Sequence, residues 1–392
     1  MKVAYFIDHM VRTSETFIYD LVAGIEKKAG PNSFINVVLK KSNNKISKNT
    51  IFLNHNTDSI GFMLVQELEN VLRIKKSATF KYNERQVYKK LNILNKVDMP
   101  DVAYIDFGQP AIYVQRFLWE NKIPFVVHFH GVDASSAFSS STYTREIENV
   151  FNRAAFIITP SFHLKRLLIL KGCHSEKIRV IRYGIDVENI IPESWSEKKK
   201  ADPSVIFLGR LTNKKNPLAL LHAFAIVKEQ IPNAKLNIIG EGPLKQEVEK
   251  RIVKLGLSSA VNLLGELDQK QAHKILRSHW VYAQHSVIAI NGDQEGYPNS
   301  PAEASAFELP VVATIHNGFP EYIIEGRTGY LVQEFDYESM GNRIVTLLKN
   351  PDLAERMGKE GRKSISELNN PHKRINSVYE LLQRACLKKK HS

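Results

Sequence analysis

The sequence predicts an α/β protein with two doubly wound parallel-sheet domains. A chain of 392 residues is longer than one ordinary core accommodates. Short β-branched apolar runs alternate with helical periods along nearly its whole length, as in parallel sheets covered by helices on both faces. The composition, with 43% hydrophobic and 24% charged residues, excludes a disordered or low-complexity chain.

Six strands are predicted in the first half, with helices between them. They cover residues 2–7, 34–40, 101–105, 125–130, 155–159 and 178–182. After the first strand, Thr13 and Ser14 can cap a helix whose apolar positions begin at Phe17. We expect residues 1–194 to form an N-terminal domain.

A second series of strands follows a charged, proline-closed stretch at residues 195–203, which predicts an interdomain linker. Its strands cover residues 203–209, 235–240, 260–265, 280–284, 310–314 and 329–332. We expect a C-terminal domain at 204–370 and a closing helix at 371–392 that packs back on the N-terminal domain. In doubly wound sheets ligands bind beyond the carboxyl ends of the strands, so the expected site is a cleft between the domains.

The formal charge of +13 favours a polyanionic partner, which could be nucleic acid, an anionic lipid surface or a phosphate-bearing substrate. Nucleic acid is not expected, because no helix-turn-helix, zinc or stacking motif is present. The basic run at 73–96, interleaved with Phe80, Tyr82 and Tyr88, leaves two interpretations open: a solvated helix face and a membrane-surface patch.

The sequence also predicts the compartment. Cys173 and Cys386 are too few for a disulfide framework, which suggests reducing surroundings. No stretch approaches the ~20 apolar residues of a membrane-spanning helix. We expect a cytoplasmic protein, with peripheral association to the inner face of the membrane as a further hypothesis.

Residues 291–325 are the most informative stretch of the chain. Glu295 lies in a Gly/Pro loop and Glu303 in the helix that follows. A carboxylate accepts two hydrogen bonds at once, which suits the vicinal diol of a ribose or a hexose. The alternative for Glu303 is an acid near a helix start, where the helix dipole favours it.

A second group of candidates follows the strand at 203–209. Arg210 and Lys215 lie in a strand-end loop that ends at a helix whose first turn can hold Pro217. Two cations in such a loop can neutralise a diphosphate. Surface charge in a polar loop is the alternative for either one, and Lys214 is expected to be such a bystander.

Two histidines mark the strand at 125–130. His128 and His130 would project on the same side of an extended strand. A metal site would need a third ligand, and the local sequence offers none, so no metal is expected. The expected role of His128 is that of a satisfied core histidine.

The combined motifs resemble retaining glycosyltransferases of the GT-B fold, family 4 (glycosyl transferases group 1). The matching parts are Glu295-Gly296, Pro298, Glu303-Ala304, the run from Pro310 to Thr314, and Gly318-Phe319-Pro320-Glu321. The resemblance implies two Rossmann-like domains. One departure is Glu308, where the family usually has glycine at the helix end, and it suggests a different helix cap.

The resemblance also implies a role for each matching residue. Glu295 would hold hydroxyls of the transferred sugar and Glu303 the nucleotide ribose. Arg210 and Lys215 would bind and stabilise the departing diphosphate, which leaves no work for a metal. His130 would lie near the anomeric centre, with Asp133 on the acceptor side. Further donor-binding positions are Gly209, Ser300 and the backbone of Asn317, Gly318 and Phe319.

The loop after the first strand departs from many GT-B enzymes because it contains no glycine. Ser14, Glu15 and Thr16 occupy it. Three roles stay open for them: helix capping, approach to the donor phosphate, or contact with the acceptor. The S-E-T-F-I form resembles a sub-group acting in bacterial exopolysaccharide and colanic-acid-type assembly.

The implied activity is metal-independent, cofactor-free transfer of a hexose with retention of configuration. The donor would be a nucleotide sugar, with UDP favoured over GDP, and the acceptor a polyprenyl-diphosphate-linked saccharide of bacterial surface polysaccharide synthesis. In the family account a donor phosphate oxygen takes the proton from the incoming hydroxyl. A double displacement through Glu295 stays open.

Other functions also stay open. They are a nucleotide-sugar epimerase, a transferase with a soluble acceptor, and a non-catalytic sugar-nucleotide-binding protein.

Overall fold

The computed structural model of the chain describes residues 1–8, 16–40, 50–53, 77–94 and 99–389. The chain forms two α/β units. The first comprises Met1–Ile181 together with His372–Ser392, and the second comprises Arg182–Pro371. Among the described residues, no helix combines the length and the apolar character needed to cross a membrane.

The first unit alternates strands and helices around one sheet. Its elements are β1 (Val3–Ile7), α1 (Thr16–Ala29), β2 (Phe34–Val38), β3 (Thr50–Phe52), α2 (Ser77–Leu91), β4 (Val102–Asp106), α3 (Gly108–Glu120), β5 (Phe125–His128), α4 (Ser141–Arg153), β6 (Phe156–Thr159), α5 (Phe162–Leu170) and β7 (Ile178–Val180). The strands lie in the order β3-β2-β1-β4-β5-β6-β7, and all neighbours are parallel.

Both faces of this sheet are covered, which is why its central strands are mostly apolar and buried along their length. All five residues of β1 are buried. One face packs on α1 and on the closing helix α13 (Pro371–Lys389), through apolar residues that include Val378 and Leu382. A Cβ at Gly24 of α1 would lie 2.4 Å from Cδ1 of Ile375, so glycine allows the two helices to approach closely.

The second unit repeats this plan. It contains α6 (Trp195–Lys198), β8 (Ser204–Leu208), α7 (Pro217–Gln230), β9 (Lys235–Ile239), α8 (Lys245–Lys254), β10 (Val261–Leu263), α9 (Gln269–Leu276), β11 (Val281–Gln284), α10 (Asn299–Ala306), β12 (Val311–Thr314), β13 (Gly329–Val332), α11 (Tyr337–Lys349) and α12 (Pro351–Leu368). The parallel strands lie in the order β10-β9-β8-β11-β12-β13. The predicted class, α/β with two doubly wound units, is confirmed.

The predicted linker at 195–203 differs from the structure. Residues Trp195–Lys198 form the short helix α6, and the Ser194 hydroxyl caps it by accepting a hydrogen bond from the Glu197 amide. The Trp195 ring packs edge-on against Trp280 at 5.8 Å, and Lys198 is buried. Although its sequence is highly charged, this segment is therefore packed, and it belongs to the second unit.

Two further details differ from prediction. The three-residue strand β3 is missing from the prediction because it is too short to carry a period. The departure at Glu308 predicts a different helix cap, but Glu308 adopts φ 59°, the left-handed conformation that glycine usually supplies. Its amide donates to the Ser305 carbonyl at 3.0 Å, and the Leu309 amide donates to the Ala304 carbonyl at 3.1 Å. The usual cap thus forms, at a cost of roughly 1 kcal/mol for a non-glycine residue.

Candidate functional site

The loop after β8 positions the first pair of candidate cations. Asn213–Lys215 form a single 3-10 turn, after which the Asn216 side chain caps α7 by accepting from the Ala219 amide. A Cβ at Gly209 would lie 2.9 Å from Cδ of Lys215, so the glycine leaves room for the lysine side chain to cross the loop. Gly209 therefore acts on the site through Lys215.

Arg210, in the same loop, has an exposed side chain. In the part of the chain that the structure describes, no acidic group forms an ion pair with it. A guanidinium left in this state can bind a phosphate through two parallel hydrogen bonds.

Lys215 instead forms an ion pair with Glu295. Its Nζ lies 3.0 Å from Oε1 of Glu295, and both side chains are almost completely buried. Burial alone would raise the pKa of the Glu295 carboxyl, but the charges of Lys215 and Lys214 outweigh it and lower that pKa to about 2. Glu295 is therefore a carboxylate throughout the physiological pH range.

The expectation that Lys214 is a surface bystander is wrong. Lys214 is buried, and its Nζ lies 3.2 Å from Oδ1 of Asp293. Its backbone carbonyl also accepts a hydrogen bond from the Val287 amide at 2.8 Å. Lys214 thus joins the loop after β8 to the loop after β11.

Two neighbouring side chains hold the backbone of Glu295. The Glu295 amide donates to Nε2 of His316 at 3.2 Å, and Nδ2 of Asn317 donates to the Glu295 carbonyl at 2.6 Å. Asn317 has φ 48°, a left-handed conformation that asparagine tolerates better than most residues. The carboxylate of Glu295 therefore projects from a backbone fixed on both sides.

His316 is fixed in turn by Glu334. Nδ1 of His316 lies 2.5 Å from Oε1 of Glu334, whose other oxygen accepts from the Ile288 amide at 3.0 Å. A carboxylate can only accept here, so Nδ1 carries the proton and Nε2 is free to accept from Glu295. The chain Glu334–His316–Glu295 determines the tautomer of the histidine.

The predicted donor-binding turn at 317–319 is a turn followed by the three-residue 3-10 helix Phe319–Glu321. The Phe319 amide donates to the His316 carbonyl, and its side chain is buried in the core. For the amides of Asn317 and Gly318, the described residues supply no acceptor. A Cβ at Gly318 would lie 2.9 Å from the Gly296 carbonyl, so this turn approaches the Glu295 loop closely.

The remaining donor-binding candidates lie on α10. Glu303 lies beyond the first turn, which weakens the helix-dipole explanation, and its Oε2 is 3.7 Å from Nε2 of His273. The Ser300 hydroxyl lies 3.0 Å from the hydroxyl of Tyr282, which also contacts the Leu208 carbonyl at 3.1 Å. This contact joins α10 to the end of β8.

A histidine cluster forms at the strand ends of the first unit. His130 lies just past the end of β5, and its Nε2 is 2.9 Å from Oδ1 of Asp106, the last residue of β4. Because a carboxylate can only accept, the proton is on Nε2. The centre of the His130 ring lies 4.5 Å from that of the Phe107 ring and 5.6 Å from that of the Phe17 ring.

The side chain of Asp133 binds backbone amides around this cluster. Its carboxylate accepts hydrogen bonds from the amides of His130 and Gly131, both at 2.9 Å, and from the Gly108 amide at 3.0 Å. The Tyr143 hydroxyl donates to the Asp133 carbonyl at 2.6 Å. Asp133 is buried, so its side chain shapes the loop that carries His130.

The same cluster contains the ligand types of a metal site. Asp106, His128 and His130 each offer an atom within 4.8 Å of the others, so the third ligand lies on the neighbouring strand. Both Asp106 oxygens already accept hydrogen bonds, Oδ2 from the Tyr5 hydroxyl at 2.6 Å and Oδ1 from His130. Burial, together with His130 and Arg374, lowers the pKa of His128 well below its usual range. His128 is therefore neutral, and the hydrogen bonds themselves orient His130.

Two predictions lie partly outside the described residues. Ser14 and Glu15 are outside, whereas Thr16 begins α1, beside Phe17. Of the basic run at 73–96, residues 77–94 are described. There Tyr88 packs edge-on against Phe117 at 5.6 Å and donates to Glu120, so its ring does not face outward as a membrane patch requires.

The sequence prediction misses Asp106, His316 and Glu334. It also misses Tyr104, whose hydroxyl lies 2.7 Å from Nδ1 of His128 and 3.3 Å from Oδ1 of Asp106. Asp106 directly follows the predicted strand 101–105, and a strand-end carboxylate beside a strand-end histidine is a usable signal in a parallel sheet. His316 and Glu334 also follow strands, β12 and β13. Their relation to Glu295 needs the strand order β11-β12-β13, which the sequence does not provide.

Solved structures identify the class of fold. The crystal structure of Anabaena Alr3699/HepE in complex with UDP and glucose matches with a TM-score of 0.75 and 17% identity, over 98% of this chain and 100% of that one. The sucrose-phosphate synthase of Thermosynechococcus elongatus matches with a TM-score of 0.78 and 16% identity, over 98% of each chain. The fold is that of the GT-B glycosyltransferases.

Sequence comparison identifies the family. Residues 191–364 match the model described as glycosyl transferases group 1, and residues 66–189 match the model described as glycosyltransferase family 4. These matches together cover most of both halves, and the chain belongs to this glycosyltransferase family.

Curated relatives give the same result. The putative colanic acid biosynthesis glycosyltransferase WcaL of Escherichia coli is 32% identical over 62% of this chain and 60% of its own length. The amylovoran biosynthesis glycosyltransferase AmsK of Erwinia amylovora is 28% identical over 72% of this chain and 70% of its own length. The chain thus spans about 60% of the length of the WcaL protein that it matches.

Proposed function

We propose that this protein is a metal-independent, retaining hexosyltransferase. It takes the hexose from a nucleotide sugar, with a UDP-sugar favoured over a GDP-sugar, and needs no cofactor. It transfers the hexose to a polyprenyl-diphosphate-linked saccharide in the assembly of a bacterial surface polysaccharide. The reaction takes place on the cytoplasmic side of a membrane, with the protein bound peripherally.

One observation carries the proposal: the buried contact of Lys215 with Glu295, beside the exposed Arg210. A diphosphate that leaves the anomeric carbon gains negative charge, and preorganised cations stabilise that charge. Arg210 and Lys215 supply two such cations. The amides of Asn317 and Gly318 are suited to a donor phosphate or sugar oxygen.

Glu295 is suited to positioning the sugar rather than to attacking it. Its pKa of about 2 reflects a carboxylate stabilised by two lysines, which is a weak nucleophile. The Glu295 carboxylate could accept two hydrogen bonds from sugar hydroxyls while it keeps most of the stabilisation that the two lysines provide. The proposed proton acceptor is therefore an oxygen of the donor phosphate, on the face where the acceptor hydroxyl arrives. His130 and Glu303 hold the anomeric centre and the ribose.

The comparisons support the donor and the pathway. The HepE structure has UDP and glucose bound, and this supports a UDP-hexose. WcaL and AmsK are described as colanic acid and amylovoran biosynthesis enzymes, and this supports surface polysaccharide as the product.

Product analysis tests the proposal. The protein is incubated with UDP-hexoses and GDP-hexoses, with and without a chelator, and with a polyprenyl-diphosphate saccharide or a soluble sugar. We expect transfer from a UDP-hexose to the lipid-linked acceptor, unchanged by the chelator, with the donor's anomeric configuration in the product. An inverted product, a chelator-sensitive rate, or epimerised donor without acceptor would contradict it.

A matched pair of variants controls this experiment. Lys245 forms an exposed ion pair with Glu241 at 2.7 Å, in the same unit as Lys215 and Glu295. We expect Lys215→Ala to lose turnover at least a hundredfold and Lys245→Ala to keep it. Equal rates for the two variants would remove Lys215 from the mechanism.

A further inference from the structure

The helix α5 has one buried face and one outward face. Leu164 and Leu168 are fully buried. Phe162, Ile169 and Leu170 are 49%, 38% and 80% exposed. Positions 162, 165, 166, 169 and 170 are separated by helical steps of three and four, so they share one face. Three large apolar side chains on such a face are more than scattered surface hydrophobics.

The charge of this face is of one sign. Lys165 and Arg166 lie between the exposed apolar residues, and Lys171 follows directly. Residues 162–172 contain no Asp or Glu. Long basic side chains among apolar ones are typical of helices that lie in the interface of an anionic bilayer, where the cations reach lipid phosphates.

The described part of α2 has a different character. Lys81, Arg85 and Lys89 are exposed at helical spacing, but Tyr88 packs inward on Phe117. Among the side chains of this helix that the structure describes, the exposed ones are all basic, which fits a solvated helix. Charge and apolar exposure therefore coincide on α5.

The α5 face adjoins the loop that carries the histidine cluster. Nζ of Lys171 lies 5.4 Å from the centre of the Phe138 ring, and Phe138 packs edge-on against Tyr143 at 5.2 Å. Tyr143 donates to the carbonyl of Asp133. Val132, between His130 and Asp133, is 50% exposed. A surface bound through α5 thus lies beside the residues assigned to the acceptor.

We propose that the outward face of α5 docks the first unit on an anionic lipid bilayer. Phe162, Ile169 and Leu170 enter the boundary between headgroups and acyl chains, and Lys165 and Arg166 bind the lipid phosphates. The link to a lipid-linked acceptor rests on the proposed function, whereas docking on lipid does not.

Vesicle co-sedimentation of the full chain tests this surface. Vesicles of phosphatidylcholine with phosphatidylglycerol are compared with phosphatidylcholine alone. We expect binding to the anionic vesicles only, weakened by salt. The double variant Lys165→Gln/Arg166→Gln should bind at least tenfold more weakly, because each near-surface cation contributes about 1 kcal/mol and about 1.4 kcal/mol is tenfold. Leu170→Glu should lose binding as well.

Two matched variants complete the test. Val253→Glu changes an apolar residue of α8 that is 71% exposed, and Lys81→Gln/Lys89→Gln removes two exposed cations of α2. Both should bind like the unaltered protein. Absence of binding, equal loss in all variants, or loss only in the α2 variant would overturn the proposal. Self-association that Leu170→Glu abolishes, without vesicle binding, would assign the face to a second copy instead.

Failure of the proposed function gives a different result. In that case the protein still binds anionic vesicles through α5, but it does not bind UDP. If only the docking surface is wrong, Leu170→Glu binds UDP and uses membrane-embedded acceptor as the unaltered protein does. If docking is right, Leu170→Glu keeps UDP affinity and loses turnover only with the acceptor in vesicles.

Discussion

The ammonium group of Lys215 lies 3.0 Å from the Glu295 carboxylate, and this contact joins the loop after β8 to the loop after β11. Lys215 therefore has a counter-ion in the described protein before any phosphate arrives. A donor diphosphate must compete with Glu295 for the lysine, whereas the sugar hydroxyls need Glu295 as their acceptor. The ion pair connects binding of the phosphate to binding of the sugar.

This connection predicts opposite effects of Glu295→Gln on binding and on turnover. The amide keeps the shape of the side chain and removes the charge that competes with a phosphate. We expect the affinity for UDP to stay equal or to increase, and turnover of the UDP-hexose to fall at least a hundredfold. Calorimetry and initial rates measure the two quantities. Glu241→Gln, in the exposed pair with Lys245, is the control, and a parallel loss of UDP affinity in Glu295→Gln would contradict the argument.

His316 is expected to position Glu295 through its Nε2 atom. His316→Ala leaves the buried Glu295 amide without its acceptor, at a cost of about 1–3 kcal/mol. His316→Gln provides an oxygen near the same place. We expect the alanine variant to lose turnover at least tenfold with UDP affinity retained, and the glutamine variant to regain most of the rate. Equal rates for both variants would reduce His316 to a packing role.

Asp106 is expected to position His130 because it accepts the Nε2 proton. Asp106→Asn weakens that hydrogen bond, whereas Tyr104→Phe leaves it in place and removes a hydroxyl that lies 2.7 Å from Nδ1 of His128 and 3.3 Å from the same carboxylate. We expect Asp106→Asn to lower kcat about tenfold or more, and Tyr104→Phe to lower it less. UDP affinity should be unchanged in both. Asp101→Asn, just before the same strand, is the control, and a loss there as large as at Asp106 would indicate a general effect on the sheet.

His279 predicts acid sensitivity of the second unit. Burial lowers the pKa of His279 to about 4, while Asn237 and the Ile275 carbonyl hold its two ring nitrogens. Between about pH 4 and the ordinary histidine pKa of 6.5, His279 is protonated in the unfolded chain and neutral in the folded chain. The free energy of unfolding therefore falls as pH falls through this range. We expect a loss of about 2 kcal/mol between about pH 7 and about pH 5.

Denaturant unfolding at the two pH values measures this loss. His279→Gln keeps an acceptor for Asn237 and removes the titration, so its stability should change by about 2 kcal/mol less over the same interval. An identical pH dependence in the two proteins would show that His279 does not contribute.

Much of the fold follows from sequence alone, because buried parallel strands are mostly apolar runs separated by helical periods. The run 2–7, for example, contains the strand Val3–Ile7. The linker prediction at 195–203 is wrong because a charged run predicts an exposed segment. In the structure, however, the side chains of Trp195 and Lys198 are buried and pack this helical turn against the second unit. Composition over nine residues does not reveal which side of a single helical turn packs.

Parts of the site were predictable for a similar reason. Arg210 and Lys215 lie in the loop after one strand, and Glu295 and Glu303 lie in the loop and the helix after another, where doubly wound folds bind ligands. The supporting residues were not predictable, because the roles of Asp106 and His316 depend on contacts with residues that follow other strands. Lys214 and Lys215 are adjacent and chemically equal, and only the fold separates the lysine held by Asp293 from the one held by Glu295.

Calorimetric titration with UDP and with GDP tests the central claim, a nucleotide-sugar site in the second unit, most directly. The unaltered protein is compared with Lys215→Ala, Glu303→Ala and the control Lys245→Ala. We predict saturable binding of UDP, weakened at least tenfold, about 1.4 kcal/mol, in the first two variants and unchanged in the control. Absence of binding of either nucleotide to the folded protein, or equal affinity in all four proteins, would contradict it.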